Sequence, residues 1–182
     1  MNKFTLDKKD TLLMVIDIQE RLVPAMNVAD KVINNTNTLI TSAKEFDMPV
    51  ITTEQYPKGL GPTVADLRDN IDPNYVFHKN SFTAYTDEVK EALTKLGASK
   101  IIITGMETHI CVFQTIRDLI SDGYQVFIAE DAVCSRSKEN YKNGLRLAEN
   151  MGALVTNTET ILFDLLKKAA TPEFKKLSPL IK

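Results

Sequence analysis

The 182-residue sequence has only two cysteines, Cys111 and Cys134. Two thiols are too few for a disulfide framework, and a chain of this length can bury a full core without one. No apolar run approaches the roughly 20 residues that a membrane-spanning helix needs, and the polar N-terminus has no stretch of signal-peptide length. We therefore expect one cytoplasmic domain over residues 1–182, in which the thiols stay reduced and can serve as nucleophiles.

The chain also lacks a strong charge imbalance. Its 22 basic and 24 acidic residues give a net charge of -2 at pH 7, and both signs are spread along the sequence. Nucleic acids and acidic membranes favour clustered basic residues, so we expect neither as a partner. The composition, with 43% hydrophobic and 25% charged residues, is typical of a soluble globular protein.

Short apolar runs alternate with longer segments of helical periodicity. The pattern predicts strands at 12–16, 49–53, 75–79, 100–104, 125–129 and 153–156, and helices at 28–46, 87–96, 108–121, 138–151 and 161–170. This order predicts an α/β fold with a mostly parallel sheet and helices on both faces.

Two stretches do not fit this alternation. Residues 54–63 contain two glycines and two prolines, which predict a long irregular loop of the kind that is often functional. The basic tail after Pro172 is interpreted as a surface extension.

Ligands of parallel sheets bind beyond the carboxyl ends of the strands. Asp17 and Lys79 end two predicted strands, and Cys111 lies in the first turn of the helix after another. The N–H groups and dipole of a helix start stabilise a thiolate, a nearby lysine would lower the thiol pKa further, and the same N–H groups could bind an oxyanion. Each residue alone could be structural, but their joint placement favours a catalytic acid, amine and thiol.

Three motifs extend across residues 12–166. An apolar strand ends in Asp17-Ile18-Gln19, Lys79 follows an aromatic-rich strand, and residues 104–112 read Thr-Gly-Met-Glu-Thr-His-Ile-Cys-Val. In this order and spacing they resemble the isochorismatase-like cysteine hydrolases, a family that includes nicotinamidases and N-carbamoyl amidohydrolases. Residues 52–61 look like the isochorismatase-domain-containing subgroup.

The resemblance implies a three-layer α/β/α sandwich with a six-stranded parallel sheet. It implies a catalytic triad of Asp17, Lys79 and Cys111, in which the aspartate takes the thiol proton and the cysteine forms a covalent acyl-enzyme. It also implies a cis Met106–Glu107 bond and an oxyanion hole formed by the backbone N–H groups of Glu107 and Cys111. The resemblance further implies a small-molecule substrate and a homo-oligomer, dimer or larger.

The sequence departs from the nicotinamidase pattern at the second strand. Residues 54–56 are Glu-Gln-Tyr where an Asp-x-His metal motif would stand, and the two histidines, His78 and His109, lie elsewhere. We therefore expect no zinc or iron site, no cofactor and no preference for nicotinamide.

Several further residues are candidates near the site. Glu107 could recognise a cationic or amide group, His109 is expected to be a capping or surface residue, and Cys134 a small loop residue. The candidate substrate-binding residues are Gln19, Gln55, Tyr56, Phe82 and Thr108.

Three alternatives to C–N bond hydrolysis through Cys111 stay open. One is vinyl-ether hydrolysis of isochorismate, although the enzymes that perform it lack the nucleophilic cysteine. Another is a non-catalytic interaction protein that retains the fold. The third is a redox protein that pairs Cys111 with Cys134, although the chain has no Cys-x-x-Cys spacing.

Overall fold

The computed structural model describes residues 4–181. At its centre lies a six-stranded sheet of order β3-β2-β1-β4-β5-β6, in which every neighbouring pair is parallel. The strands are β1 (Thr11–Ile16), β2 (Val50–Gln55), β3 (Val76–Lys79), β4 (Lys100–Met106), β5 (Gln125–Cys134) and β6 (Leu154–Thr156). The predicted α/β class and parallel six-stranded sheet are confirmed.

Helices connect the strands. The α-helices are α1 (Ala29–Glu45), α2 (Pro57–Leu60), α3 (Ala65–Arg68), α4 (Asp87–Leu96), α5 (Phe113–Ser121), α6 (Lys138–Asn150), α7 (Thr158–Leu166) and α8 (Pro172–Leu177). Three 3-10 helices lie at Val23–Ala25, Pro73–Tyr75 and Ser178–Ile181, and a π-helical turn lies at Thr108–Val112. No helix within residues 4–181 is long and apolar enough to span a membrane.

The sheet separates two hydrophobic cores. β1 is buried along its whole length, and its side chains alternate between the two faces as a strand requires. Leu13 and Val15 pack in a core that contains residues of α1, α7 and α8, whereas Met14 and Ile16 pack in a core that contains residues of α4, α5 and α6. This arrangement is the predicted three-layer sandwich.

Local signals explain the ends of the helices. Thr86 caps α4 by accepting a hydrogen bond from the backbone N–H of Val89, and Gly97 ends the same helix with a φ of 69°. That left-handed conformation costs glycine little because glycine has no Cβ, which suits Gly97 to the end of a helix.

The structure corrects three predictions. β2 continues to Gln55 and α2 follows, so residues 54–63 are not one irregular loop. Pro57 suits the first position of α2, because a residue there donates no hydrogen bond within the helix. β5 extends to Cys134, which pairs with Met106 of β4 and is therefore a strand residue. The tail folds into α8, and Leu177 is fully buried in the core beside α1 and α7.

Candidate active site

The three candidate catalytic side chains meet at the carboxyl edge of the sheet. Asp17 directly follows β1 and turns into the left-handed region, with a φ of 54°. Its backbone N–H donates to the Thr53 carbonyl at 3.1 Å, so the turn is joined to β2. The side chain has no exposed surface. The Thr53 hydroxyl donates to Asp17 Oδ1 at 2.8 Å, and Lys79 Nζ donates to Asp17 Oδ2 at 2.6 Å.

Lys79 is buried as the partner of this carboxylate. Its side chain is only 1% exposed. Besides Asp17, the ammonium donates to Gln55 Oε1 at 2.8 Å and to the backbone carbonyls of Phe82 and Ser81 at 3.0 and 3.2 Å. Burying a charge is costly unless it is paired and hydrogen-bonded, and both conditions are met here.

Cys111 lies in the π-helical turn after β4 and is 7% exposed. Its thiol lies beside the Asp17 carboxylate and the backbone N–H of Glu107. The Cys111 carbonyl accepts a hydrogen bond from the Thr115 hydroxyl at 2.6 Å, which ties the turn to α5. The carboxylate therefore lies between the ammonium and the thiol.

The pKa of the thiol differs from the prediction. Burial, and next the negative charge of Asp17, raise the pKa of Cys111 to about 12, although Lys79 and the Glu107 N–H act in the opposite direction. Burial likewise raises the pKa of Asp17 against the opposing influence of Lys79. The predicted lowering of the Cys111 pKa is therefore wrong, because sequence position reveals the helix start but not the depth of burial.

The turn that carries Cys111 is tied to the loop after β5. The Met106–Glu107 peptide bond is cis, as the family resemblance implied. The Glu107 carboxylate is buried and accepts from the backbone N–H of Arg136 at 2.9 Å and from Arg136 Nε at 3.1 Å. His109 Nδ1 lies 3.0 Å from the Ser135 hydroxyl.

Gln19 and Gln55 hold the segment that borders the site. Gln19 is buried; its Nε2 donates to the carbonyls of Gln55 and Gly61 at 3.0 and 2.7 Å, and its Oε1 accepts from the Gln55 N–H at 2.7 Å. The Gln55 side chain accepts from Lys79. Both amides thus position protein groups within the site.

The other three substrate-binding candidates differ in exposure. Tyr56 and Phe82 are 54% and 55% exposed and flank Lys79 through backbone contacts. Tyr56 has a φ of 39°, and its ring lies against Gly59, where an added Cβ would come within 2.4 Å of it. Thr108 is buried, and its hydroxyl has no hydrogen-bond partner among the described residues.

The residues that sequence reasoning missed are Thr53, Ser135 and Arg136. Thr53 could have been found, because it ends the predicted strand that neighbours Asp17. Ser135 and Arg136 gave no sequence signal, because β5 continues past its predicted end and only pairing with β4 brings them beside the turn.

The position of the nicotinamidase metal motif holds a hydrogen-bonded carboxylate instead. Glu54 Oε1 accepts from the Thr63 N–H and hydroxyl at 2.7 and 2.8 Å, and Glu54 Oε2 lies 3.2 Å from His78 Nε2. In residues 4–181 no group of three or more His, Cys, Asp or Glu side chains is arranged to hold a metal ion.

A family model described as "Isochorismatase domain" matches residues 11–160. The chain belongs to the isochorismatase family. Members of this family are generally hydrolases. The "Secreted isochorismatase effector Isc1" of Phytophthora sojae is 37% identical over 177 residues, with 94% of this chain and 84% of the relative covered. "Isochorismatase domain-containing protein 2" of Xenopus laevis is 34% identical over 177 residues, with 97% and 85% covered.

Solved structures support the same fold. The MAR1 ribonuclease of Caenorhabditis elegans superposes with a TM-score of 0.92 at 32% identity and covers 97% of this chain and 92% of its own. YcaC of Escherichia coli, described as an octameric hydrolase of unknown specificity, has a TM-score of 0.91 at 24% identity, with 98% and 89% covered. At that identity YcaC is evidence for the fold alone.

Proposed function

We propose that this isochorismatase-family protein hydrolyses a C–N bond of a small amide or carbamoyl compound through a covalent acyl-enzyme on Cys111. The observation that carries the proposal is the buried contact of the Asp17 carboxylate with both the Lys79 ammonium, at 2.6 Å, and the Cys111 thiol. A carboxylate that contacts both an ammonium and a thiol is costly to bury and matches the requirements of nucleophilic catalysis.

In the first step, Cys111 Sγ attacks the substrate carbonyl carbon while Asp17 accepts the thiol proton. A thiol with a pKa of about 12 is protonated at neutral pH, so the proton must leave as the S–C bond forms. Burial raises the pKa of Asp17, which makes its carboxylate a stronger base than an exposed one. The carbonyl electron pair moves to oxygen, and the backbone N–H groups of Glu107 and Cys111 stabilise the oxyanion.

In the second step, the oxyanion collapses and the C–N bond breaks. Asp17 passes its proton to the leaving nitrogen, and the acyl group remains on sulfur as a thioester. Water then attacks the thioester while Asp17 accepts a proton from the water. The thiolate leaves as the carboxylic or carbamic acid product forms, and the proton on Asp17 returns to sulfur.

Lys79 acts by charge and not by proton transfer in this scheme. Its ammonium is held by four acceptors, and its positive charge opposes the rise in the pKa of Asp17 that burial causes, which favours the carboxylate form that a base requires. For substrate binding, Tyr56 and Phe82 offer exposed rings beside the site, whereas the hydroxyl of the third candidate, Thr108, is buried. Gln19 and Gln55 contribute by holding the segment that borders the site.

Each alternative makes a different demand on the site. Redox pairing would have to join thiols in different cores, because Cys111 packs beside α4 and α5 whereas Cys134 packs beside α1 and α7. The Caenorhabditis elegans neighbour is described as a ribonuclease, but the net charge of -2 favours a small molecule over RNA here. Vinyl-ether hydrolysis would not need the thiol.

The test compares the wild type with Cys111→Ser, using Cys134→Ser as the matched control. A panel of amides and carbamoyl compounds, with isochorismate and single-stranded RNA added, is assayed for product. We expect C–N hydrolysis that falls on the order of a thousandfold or more in Cys111→Ser and is retained in Cys134→Ser. Acid quenching during turnover should leave an acyl mass on the Cys111 peptide.

Other results would point elsewhere. Isochorismate or RNA cleavage that survives in Cys111→Ser would contradict the proposed mechanism and support the corresponding alternative. A panel without turnover, together with no acylation of Cys111 by an activated ester, would favour the non-catalytic interaction protein.

A homo-oligomer also stays a proposal, which light scattering after size-exclusion chromatography tests. The cytoplasmic location stays a prediction, since one relative is named as secreted.

A further inference from the structure

We propose that Arg136 is a positioning residue for the oxyanion site: it neutralises the Glu107 carboxylate and holds the turn that presents the Glu107 and Cys111 N–H groups. This inference rests on the proposed acyl-enzyme chemistry. It adds a residue that lies outside the Asp17–Lys79–Cys111 contact and follows a different strand.

The geometry places a carboxylate where negative charge is unfavourable. The backbone N–H of Glu107 faces the Cys111 thiol, and the side chain of the same residue is buried, with 6% exposed. A carbonyl attacked by sulfur would develop its negative charge beside that N–H. An unpaired carboxylate on the same residue would oppose this charge, because like charges repel strongly where water is excluded.

Arg136 provides the compensation. Its Nε lies 3.1 and 3.2 Å from the two Glu107 oxygens, and its backbone N–H donates to Oε2 at 2.9 Å. The carboxylate is thus fixed from the main chain and neutralised from the side chain. The arginine side chain itself is 60% exposed, so solvent weakens its attraction to the carboxylate. The Glu107 carboxylate is buried and therefore depends more on the ion pair than Arg136 does.

A second contact fixes the same turn to the same loop. His109 Nδ1 lies 3.0 Å from the hydroxyl of Ser135, the residue before Arg136. The two contacts lie on either side of Thr108. The other titratable group whose charge interacts with the Glu107 carboxylate is Cys134, at the end of β5. A thiol is not a cation, so among the residues the structure describes Arg136 supplies the positive charge in direct contact.

The experiment uses two reagents that react with the same thiol. p-Nitrophenyl acetate acylates Cys111. The S–C bond forms, the thiol proton goes to Asp17, and the carbonyl electron pair moves to oxygen to give an oxyanion. The oxyanion then collapses, the C–O bond to the leaving group breaks, and p-nitrophenolate leaves. Iodoacetamide alkylates the thiol by displacement of iodide and forms no oxyanion. The acylation rate divided by the alkylation rate therefore reports on the oxyanion site.

We expect Arg136→Gln to lower this ratio on the order of tenfold to a hundredfold. Arg117→Gln is the matched control, because Arg117 also pairs with a carboxylate, that of Asp118, and is 49% exposed. The double variant Glu107→Gln/Arg136→Gln should recover the ratio, since it removes the uncompensated charge.

The outcomes distinguish failure of the role of Arg136 from failure of the acyl-enzyme proposal on which it rests. If wild-type protein is acylated no faster than Cys111→Ser, the acyl-enzyme proposal fails. If Cys111 is acylated but Arg136→Gln lowers acylation and alkylation equally, the role of Arg136 at the oxyanion site is overturned. Absence of recovery in the double variant would likewise overturn it, because a structural defect would persist without the charge.

Discussion

At the scale of single residues, Cys111 and Asp17 act as one unit. The carboxylate lies beside the thiol, and both groups have raised pKa values because burial disfavours their charged forms. The thiol is therefore protonated at neutral pH and lies beside the carboxylate that the proposed mechanism assigns as its base. This differs from cysteine nucleophiles that exist as thiolates before substrate binds.

Asp17→Asn should have opposite effects on two reactions of Cys111. Hydrolysis should fall by about 10²–10⁴-fold, because the general base is lost. Alkylation by iodoacetamide at pH 8 should accelerate, because the change removes a negative charge that raises the pKa of Cys111 and leaves the positive Lys79 nearby. Each unit by which the pKa falls should increase the thiolate fraction about tenfold. Product formation gives the hydrolysis rate, and mass spectrometry of the labelled peptides gives the alkylation rate.

Cys134 is the internal control for this measurement. Burial also raises its pKa to about 12, but Asp17 is not among the causes, so its labelling rate should not change. In the wild type, labelling of Cys111 should keep increasing with pH up to at least pH 10, because the thiolate forms only near the raised pKa. Slower labelling of Cys111 in Asp17→Asn would show that the carboxylate promotes the thiolate, contrary to this account.

At the scale of elements, the turn that carries Cys111 depends on close packing by α6. Gly144 of that helix lies so near that an added Cβ would come within 2.7 Å of the Thr108 carbonyl group and 2.9 Å of the His109 nitrogen. These are backbone atoms, which cannot rotate out of the way. The absence of a side chain at one helix position therefore sets where the turn lies.

Gly144→Ala should displace the turn and impair catalysis. We expect the acylation rate of Cys111 by p-nitrophenyl acetate to fall on the order of tenfold or more, and the free energy of unfolding to fall by about 1–3 kcal/mol from overpacking. Lys142→Ala is the matched control, because Lys142 is an exposed position two residues earlier in α6. Stopped-flow absorbance and urea denaturation measure the two effects. Equal acylation rates in both variants would show that the turn tolerates the shift.

At the scale of the whole molecule, the C-terminal segment completes one of the two cores. Leu177 of α8 is fully buried among residues of α1 and α7, although the sequence after Pro172 suggests a polar extension. Thr171 caps α8 by accepting from the Phe174 N–H, and Pro172 takes the first helical position. The segment is thus part of the layer that covers the sheet opposite α4 and α5.

Leu177→Ala should lower the free energy of unfolding by about 2–5 kcal/mol, because it removes buried methyl groups and leaves a cavity. Leu180→Ala, three residues further on, should change it by less than about 0.5 kcal/mol, since Leu180 is 43% exposed. The alkylation rate of Cys111 should be unaffected in both variants. If urea denaturation gives the same small change for both, the tail is the surface extension that the sequence suggests.

The amino-acid sequence by itself determined the fold class and the edge at which the site lies. Apolar periodicity distinguishes strands from helices, and in a parallel sheet the residues after the strands must share one edge. Asp17, Lys79 and Cys111 could therefore be placed together before any contact was known. The family motifs also implied the cis bond before Glu107, since a motif carries local backbone geometry with it.

Only the tertiary structure decided the chemical state of that site. The raised pKa of Cys111 depends on how deeply the thiol is buried and on its distance from Asp17, and neither follows from position along the chain. The pairing of Glu107 with Arg136 depends on β5 extending beside β4, and the burial of Leu177 depends on a core assembled from distant helices. Local patterns specify elements, whereas burial and charge environment arise from contacts between residues far apart in sequence.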